Sequence, residues 1–172
     1  SSFTKSIIDK NINFKKNIKK KIINPVIHIE KKMTYKVKKF GNKTILCVGE
    51  LKRRKGYDLL IKVLLMLNKN YKQNFKLLLI GKSDNFKYKQ ELINFVKKNK
   101  LNHNVKFKHN VSESKINEFY KKSHIFVMLS RHIENHFEGF GIVYLEALFY
   151  GLPIIVSKES GAVDLQKISK EI

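Results

Sequence analysis

Two carboxylates with seven residues between them, Glu138 and Glu146, are the residues of this sequence best placed to do chemistry together. A Gly-Phe-Gly turn follows Glu138, and Glu146 lies in an amphipathic stretch that stops at Gly151. One apolar segment precedes the pair at 125–129 and another follows it at 153–156. This order predicts a strand, a glycine turn, a helix and a second strand, with a helix start that can hold a phosphate.

The predicted helix start offers backbone donors to an anion. Its first N–H groups have no partner within the helix and carry partial positive charge, which suits a pyrophosphate. The two carboxylates accept hydrogen bonds from hydroxyls, so the pair suits a ligand with a sugar at each end of a diphosphate. The alternative is that both carboxylates are simply solvated, as most glutamates on helices are. The predicted helix start consists of Gly139, Phe140, Gly141, Ile142 and Val143. Its two glycines would let a ligand approach the backbone closely.

A second stretch, 44–61, predicts a strand, a basic loop and a helix. The loop has a run of cations that ends at Lys55, directly before Gly56, and Asp58 is placed to cap the helix that follows. Such a loop either binds phosphate or is a solvated basic turn.

Three segments taken together closely resemble the donor-site signature of the retaining glycosyltransferases of family 4. They are 138–141 (Glu-Gly-Phe-Gly), 145–147 (Leu-Glu-Ala) and 151–153 (Gly-Leu-Pro), and the resemblance extends over roughly residues 20 to 166. These enzymes have the GT-B fold, in which the active site lies in a cleft between two Rossmann-like domains.

The resemblance implies a role for each matching residue. Glu138 would contact the transferred sugar, Glu146 would bind the ribose hydroxyls, and Lys55 would contact the diphosphate of a UDP-sugar or GDP-sugar. Lys55 and the helix start at 139–143 would stabilise the leaving diphosphate electrostatically, without a cofactor. The family implies front-face transfer with retention, in which the donor phosphate assists deprotonation of the acceptor.

One residue departs from the family pattern. Where the family usually has arginine after the first strand's glycine, this sequence has Glu50. Three outcomes stay open: Lys55 and the helix start suffice, donor binding is weaker, or Arg53 or Lys52 takes over the phosphate contact.

The segment 105–112 resembles the third strand and the loop that often lines the nucleotide base, which makes Val111 a candidate binding residue. The family commonly has glycine where His109 stands, and this histidine either stacks on a base or fills space. Near 160–164 the sequence resembles, more loosely, the glycine turn after the fifth strand.

The pattern of elements predicts an α/β fold with a parallel sheet and helices on both faces. By resemblance this is the C-terminal half of a GT-B fold, truncated at both ends. Residues 1–28 would end the acceptor-side domain and cross into a donor domain at 29–172, and the glycan or lipid-linked acceptor would bind the missing domain. The expected strands are 44–49, 76–81, 104–108, 124–130 and 153–157, with a further short strand in 31–42 left open, and the expected helices are 57–69, 86–99 and 113–122.

A metal site is not expected. No Asp-x-Asp motif occurs, because the four aspartates stand apart in the sequence. His132, Glu134 and His136 have the spacing of a ligand set, but they lie in a loop where helical i,i+4 geometry is not expected. We expect His132 or His136 to border the sugar pocket instead.

Composition leaves three classes of function open. Lys and Arg outnumber Asp and Glu by 36 to 14, for a net charge of +22, yet only three of the 36 are arginine. This excess of lysine favours codon bias over a surface patch that recognises phosphate. It leaves an anionic membrane surface as a further partner and predicts no specific nucleic acid.

A single cysteine, Cys47, and the lack of an apolar leader favour a cytoplasmic location, including the inner face of a membrane. The hypotheses are a glycosyltransferase donor domain, a catalytically degenerate binding module of the same fold, and a basic nucleic-acid-binding domain.

Overall fold

A computed structural model describes residues 1–13, 18–26, 37–71, 73–134 and 136–165 of the 172-residue chain. The division into a linker at 1–28 and a donor domain from residue 29 remains a prediction, since much of the segment around that boundary lies outside the described residues. The strands are β1 (Thr44–Val48), β2 (Lys76–Ile80), β3 (Val105–Lys108), β4 (Ile125–Met128) and β5 (Ile154–Val156), and the helices are α1 (Ser2–Asn11), α2 (Tyr57–Tyr71), α3 (Phe86–Lys98), α4 (Glu113–Lys122) and α5 (Ile142–Phe149).

All five strands are parallel, in the order β3-β2-β1-β4-β5. The central strand β1 is buried along its whole length, as expected of a parallel strand covered on both faces. β2 and then β3 lie on one side of β1, and β4 and then β5 lie on its other side. Because parallel crossovers are right-handed, this reversal places the helices before and after it on opposite faces of the sheet. The predicted α/β fold class is confirmed.

The core forms where the α2 side chains meet the sheet. From the sequence, the apolar face of this helix is expected at Leu59, Leu60, Val63, Leu64 and Leu67, but Val63 is exposed. The buried positions are Tyr57, Leu60, Ile61 and Leu64, whose spacing of three and four residues follows one side of the helix. The apolar stripe was therefore predicted correctly in type but rotated by one position.

Among the described residues, three helices were not predicted from the sequence: α1 and two 3-10 helices. The segment with no clear periodicity near the N-terminus contains the helix α1, and the described part of 31–42, residues 37–42, forms no strand. The basic loop contains a short 3-10 helix, Arg53–Lys55, that ends at Gly56 in the left-handed conformation. A second 3-10 helix, Gly161–Asp164, follows β5.

Candidate functional site

The site lies at the point where the strand order reverses, between the carboxyl ends of β1 and β4. In open parallel sheets this crevice is where ligands bind. The loop after β1 and the loop after β4 contact each other there, since the N–H of Arg131 donates to the carbonyl of Arg54 at 2.7 Å. A methyl group on Gly56 would lie 2.0 Å from the Leu129 carbonyl oxygen, so only glycine lets the loops approach this closely.

Two cations of the β1 loop converge on one carboxylate of the β4 loop. Lys55 Nζ contacts Oε2 of Glu138, and Arg54 Nη1 donates to the same oxygen at 2.9 Å. The side chains of Lys55 and Glu138 are each only 10% exposed, and that of Arg54 is 22% exposed. In this dry setting, charge interactions are much stronger than in water. The sequence-predicted Lys55 and Glu138 are thus brought together, and Arg54 joins them.

The backbone around Glu138 is held by the segment after β5. The N–H of Gly161 donates to the Glu138 carbonyl at 2.9 Å, and Glu138 forms a parallel bridge with Ser160. This resembles one further rung of the sheet beyond β4 and β5. The loosely matched segment at 160–164 therefore acts as the support of the Glu138 loop.

The helix that follows starts later than the sequence suggested. α5 begins at Ile142, so Gly139 and Phe140 lie in the loop before it, and Gly141 is its N-cap with φ of 79°. The Tyr144 N–H donates back to the Gly141 carbonyl at 3.0 Å. Of the predicted donors, Ile142 and Val143 thus belong to the first turn, whereas the others precede it.

The second carboxylate of the spaced pair points toward the neighbouring helix. Glu146 is half-buried, and its Oε2 accepts a hydrogen bond of 2.8 Å from the Tyr120 hydroxyl of α4. Burial, and secondarily the charge of Glu146, raises the pKa of Tyr120 far above its ordinary value, so the hydroxyl stays protonated as a donor. Tyr120 lies one helical turn beyond Ile116, which lines the cavity described next.

Two adjoining cavities open at the carboxyl edge of the sheet. One, of about 400 Å³, lies beyond β1, β2 and β3 and is lined by Val111. The other, of about 730 Å³, is lined by Arg53 and Arg54. Glu50 lines both, and its carboxylate pairs with Lys52 at 2.8 Å. The structure thus places Val111 beside a cavity, and it places the atypical Glu50 where the two cavities meet.

The three neighbouring loop cations have different partners. Arg53 pairs with Glu91 and lies over the Tyr88 ring, 4.8 Å from its centroid, so it faces α3 and not Glu138. Lys52 is occupied by Glu50. Of Lys52, Arg53 and Arg54, it is therefore Arg54 that joins Lys55 at Glu138, and the sequence reasoning did not single it out.

Arg131 was also missed, and it braces the basic loop. Its Nη2 donates to Asp58 at 2.8 Å and to the Arg53 carbonyl at 3.0 Å. Asp58, expected as a helix cap, instead accepts from Arg131 and from the Tyr88 hydroxyl. The only sequence signal was that Arg131 directly follows the β4 strand.

The histidines have structural contacts. The Nδ1 of His109 lies 2.7 Å from the Gly81 carbonyl oxygen, and the His132 ring packs edge-on against Phe137. His136 pairs with Ile133 across a tight turn. Within the described residues, no group of three or more His, Cys, Asp or Glu side chains is arranged to hold a metal ion.

None of the helices in the described part of the chain is both long enough and apolar enough to span a bilayer.

Comparison with known proteins gives consistent matches. An uncharacterized glycosyltransferase of Haemophilus influenzae is 32% identical over 120 residues, which are 70% of this chain and 31% of that protein. The crystal structure of the C-terminal domain of a glycosyl transferase group 1 family protein from Francisella tularensis aligns with a TM-score of 0.60 at 26% identity, covering 69% of this chain and 59% of that one. Anabaena HepE in complex with UDP and glucose aligns with a TM-score of 0.62 at 24% identity, over 72% and 32% of the two chains.

The matched part of the chain spans about a third of the curated relatives' length. Its fold is that of the C-terminal domain of GT-B glycosyltransferases, as the resemblance implied. The model of the family described as glycosyl transferases group 1 matches residues 29–168. This match includes both loops and all five strands, and the chain therefore belongs to the group 1 glycosyl transferases.

Proposed function

We propose that this chain binds a nucleoside diphosphate sugar and, within the whole protein, transfers the sugar to an acceptor with retention of configuration. The observation that carries the proposal is the convergence of Lys55 and Arg54 on Glu138 at the reversal of strand order. Two cations held in a dry crevice, beside the start of α5, form a site for a diphosphate.

The cluster suggests how a donor would bind. Without a donor, the Glu138 carboxylate neutralises part of the charge of Lys55 and Arg54. A diphosphate carries more negative charge and would take over these cations, which leaves the Glu138 carboxylate free to accept hydrogen bonds from sugar hydroxyls. Binding and placement of the sugar would then be coupled through one set of ion pairs.

The transfer step follows from this placement. The bond between the sugar C1 and the diphosphate oxygen would break while the acceptor oxygen bonds to C1 from the same face. The acceptor's proton would pass to the departing phosphate oxygen. Lys55 and Arg54 would stabilise the negative charge that develops on the diphosphate.

We infer where the nucleotide would bind from the positions of Val111 and Glu146. The 400 Å³ cavity beside Val111 would take the base, and Glu146 would bind the ribose hydroxyls after giving up or sharing its bond with Tyr120. Anabaena HepE was crystallised with UDP and glucose, which supports UDP as the first nucleotide to test, with GDP as the alternative.

The acceptor would be a glycan or a lipid-linked molecule, bound in the part of the protein beyond this chain. A cytoplasmic location at an anionic membrane surface would suit the basic charge.

The first test is calorimetric titration of the whole protein with UDP-glucose, UDP-N-acetylglucosamine and GDP-mannose. We expect saturable binding of one donor and at least a tenfold weaker affinity in Lys55→Ala and Glu146→Ala, about 1.4 kcal/mol or more each. Product anomers analysed by NMR would then test retention. An inverted product would contradict the proposed stereochemistry while leaving donor binding intact.

Two adjacent arginines provide a matched control for the phosphate contact. Arg54→Ala should weaken donor binding about tenfold, as expected for loss of a charge-assisted hydrogen bond. Arg53→Ala also removes one positive charge, one residue earlier in the loop. Because Arg53 pairs with Glu91 and not with Glu138, this variant should change donor affinity by less than about twofold. Equal losses in both variants would mean that only the net charge of the loop matters.

A second function is supported by Glu50, whose carboxylate stands where the two cavities meet. If it repels the diphosphate, the chain is a degenerate binding module that holds no nucleotide sugar. Glu50→Gln distinguishes the two proposed functions. A donor site should bind its donor in the unchanged protein, and equally well or more tightly in this variant. A degenerate module should bind no donor in the unchanged protein and should gain binding only on this substitution or not at all.

A further inference from the structure

Helix α1 contacts the sheet domain through residues of its first turn. None of its ten residues is buried, and its closest contacts to the site are made by its first turn. A helix of this length is marginal in water on its own. Its position therefore depends on the contacts of that first turn, which fall on the loop that contains Glu138 and on the 3-10 helix Gly161–Asp164.

Two hydroxyl groups of α1 converge on one carbonyl of the loop. Ser1 Oγ donates to the carbonyl oxygen of Gly139 at 2.6 Å, and Thr4 Oγ1 donates to the same oxygen at 3.0 Å. Ser1 also caps the helix, because its Oγ accepts the Thr4 N–H at 3.1 Å. The Gly139 carbonyl thus accepts its hydrogen bonds from α1 and not from the sheet.

Further contacts join the same two parts of the molecule. The Ser2 N–H donates to Asp164 Oδ2 at 2.6 Å, and the Phe3 ring packs edge-on against Phe137 with centroids 6.0 Å apart. Asp164 belongs to the 3-10 helix that begins at Gly161, whose N–H holds the Glu138 carbonyl. The loop is therefore clamped between that 3-10 helix on one side and α1 on the other.

We propose that α1 is a positioning element of the donor site and that Thr4 is its positioning residue. The Thr4 hydroxyl holds the Gly139 carbonyl, one residue beyond Glu138, and so helps to set the direction from which that carboxylate meets Lys55, Arg54 and the sugar. Because both hydroxyls donate to the Gly139 carbonyl, a shift of α1 would shift the loop. The inference rests on the proposed function for its effect on transfer, but not for the contact itself.

The test compares Thr4→Val, which keeps the shape but removes the hydroxyl, with Thr4→Ser, which restores it. In the whole protein, hydrogen exchange of the segment 138–143 should be about fivefold faster in Thr4→Val than in the unchanged protein, as expected for loss of one net hydrogen bond. With the donor identified by titration, kcat should fall by a similar factor while the donor KM changes less than about twofold, because the phosphate contacts remain. Thr4→Ser should restore both values.

Ser6→Ala is the matched control, because it also removes a hydroxyl from α1 but one that faces solvent and bonds only to the Phe3 carbonyl. It should leave exchange and kinetics unchanged. Unchanged exchange and kcat in Thr4→Val would overturn the proposal, as would equal effects of Thr4→Val and Ser6→Ala. If the unchanged protein binds no nucleotide sugar, the proposed function fails, and the exchange comparison alone decides whether α1 positions the loop.

Discussion

Glu138 is a buried carboxylate whose charge is balanced entirely by neighbours 83 and 84 positions away in the chain. Burying a charge is costly unless a partner compensates for it. The same residue that would contact the sugar therefore also joins the two loops through its ion pairs. Function and stability are linked at this one side chain.

Replacing Lys55 tests this link at the residue scale. Lys55→Met leaves Glu138 with Arg54 alone, and we expect the free energy of unfolding to fall by roughly 3 kcal/mol, the lower end for a broken buried pair. Denaturant unfolding monitored by circular dichroism measures it. Adding Glu138→Gln to Lys55→Met should cost less than the sum of the single losses, by about 1 kcal/mol or more.

The control for this prediction is another lysine of the same loop. Lys52 pairs with Glu50, but its side chain is 50% exposed, so Lys52→Met should change stability by less than about 0.5 kcal/mol. Strictly additive losses at Lys55 and Glu138 would show that the buried contact contributes no coupling.

The residues of the site were only partly predictable. Glu138 and Lys55 lie in motifs that resemble the family, and the structure brings them together. Arg54 could not be told from Arg53 by sequence, because the turn of the 3-10 helix decides which of two adjacent side chains faces Glu138. Which of these residues bind a donor stays a prediction until the titrations are made.

At the scale of elements, the approach of the β1 and β4 loops depends on one glycine. Gly56 has φ of 71°, and a Cβ there would lie 2.0 Å from the Leu129 carbonyl oxygen. Gly56→Ala should therefore force the loops apart and destabilise the fold by more than about 3 kcal/mol, since it adds a backbone clash to the conformational strain. Thermal unfolding of the variant measures the loss.

Gly151 provides the control, because its φ of 66° is nearly the same but a Cβ there has no atom within 4 Å. Gly151→Ala should cost only the conformational strain, roughly 1–2 kcal/mol. Similar losses in the two variants would mean that close loop contact is not what requires Gly56.

Element types were predicted well and element ends less well. The five main strands and the helices between them recur at the predicted places because periodic apolar residues report the buried faces. α1 was missed because its few apolar residues are interspersed with Lys, Asn and Ser, and none of its residues is buried. The start of α5 was placed too early because a glycine turn does not reveal which of its residues begins the helix.

At the scale of the whole molecule, Cys47 reports the integrity of the core. It is fully buried in β1, and burial raises the pKa of its thiol to about 12. Under native conditions at pH 8 we expect iodoacetamide to label it only through unfolding, so labelling should accelerate with denaturant in step with loss of structure. Rapid labelling of the folded protein would contradict this packing.

The same shift predicts a dependence of stability on alkaline pH. The folded-state pKa of Cys47 lies above the ordinary value of 9.0, so its contribution is fully present below pH 9 and is lost as the pH rises toward 12. Cys47→Ala should show a smaller loss of stability across that interval than the unchanged protein. Tyr120, whose pKa burial also raises, contributes with the same sign and is common to both proteins.

The net charge of +22 acts on the molecule as a whole and not on its fold. A nucleic-acid-binding role would require binding that weakens steeply with salt and does not compete with a nucleotide sugar. That hypothesis and the membrane-surface partner both remain predictions, and titrations at low and high salt separate them from donor binding.

The alternation of strands and helices, the glycine turns and the spacing of the two glutamates could be predicted from the amino-acid sequence, because they depend on neighbours within a few residues. The three-dimensional structure was needed to show that Arg54 faces Glu138, that Arg131 braces the basic loop through Asp58, and that α1 holds Gly139. These contacts join residues more than 70 positions apart. Their geometry depends on the order of the strands and on the exact ends of short helices, which no local pattern of residues specifies.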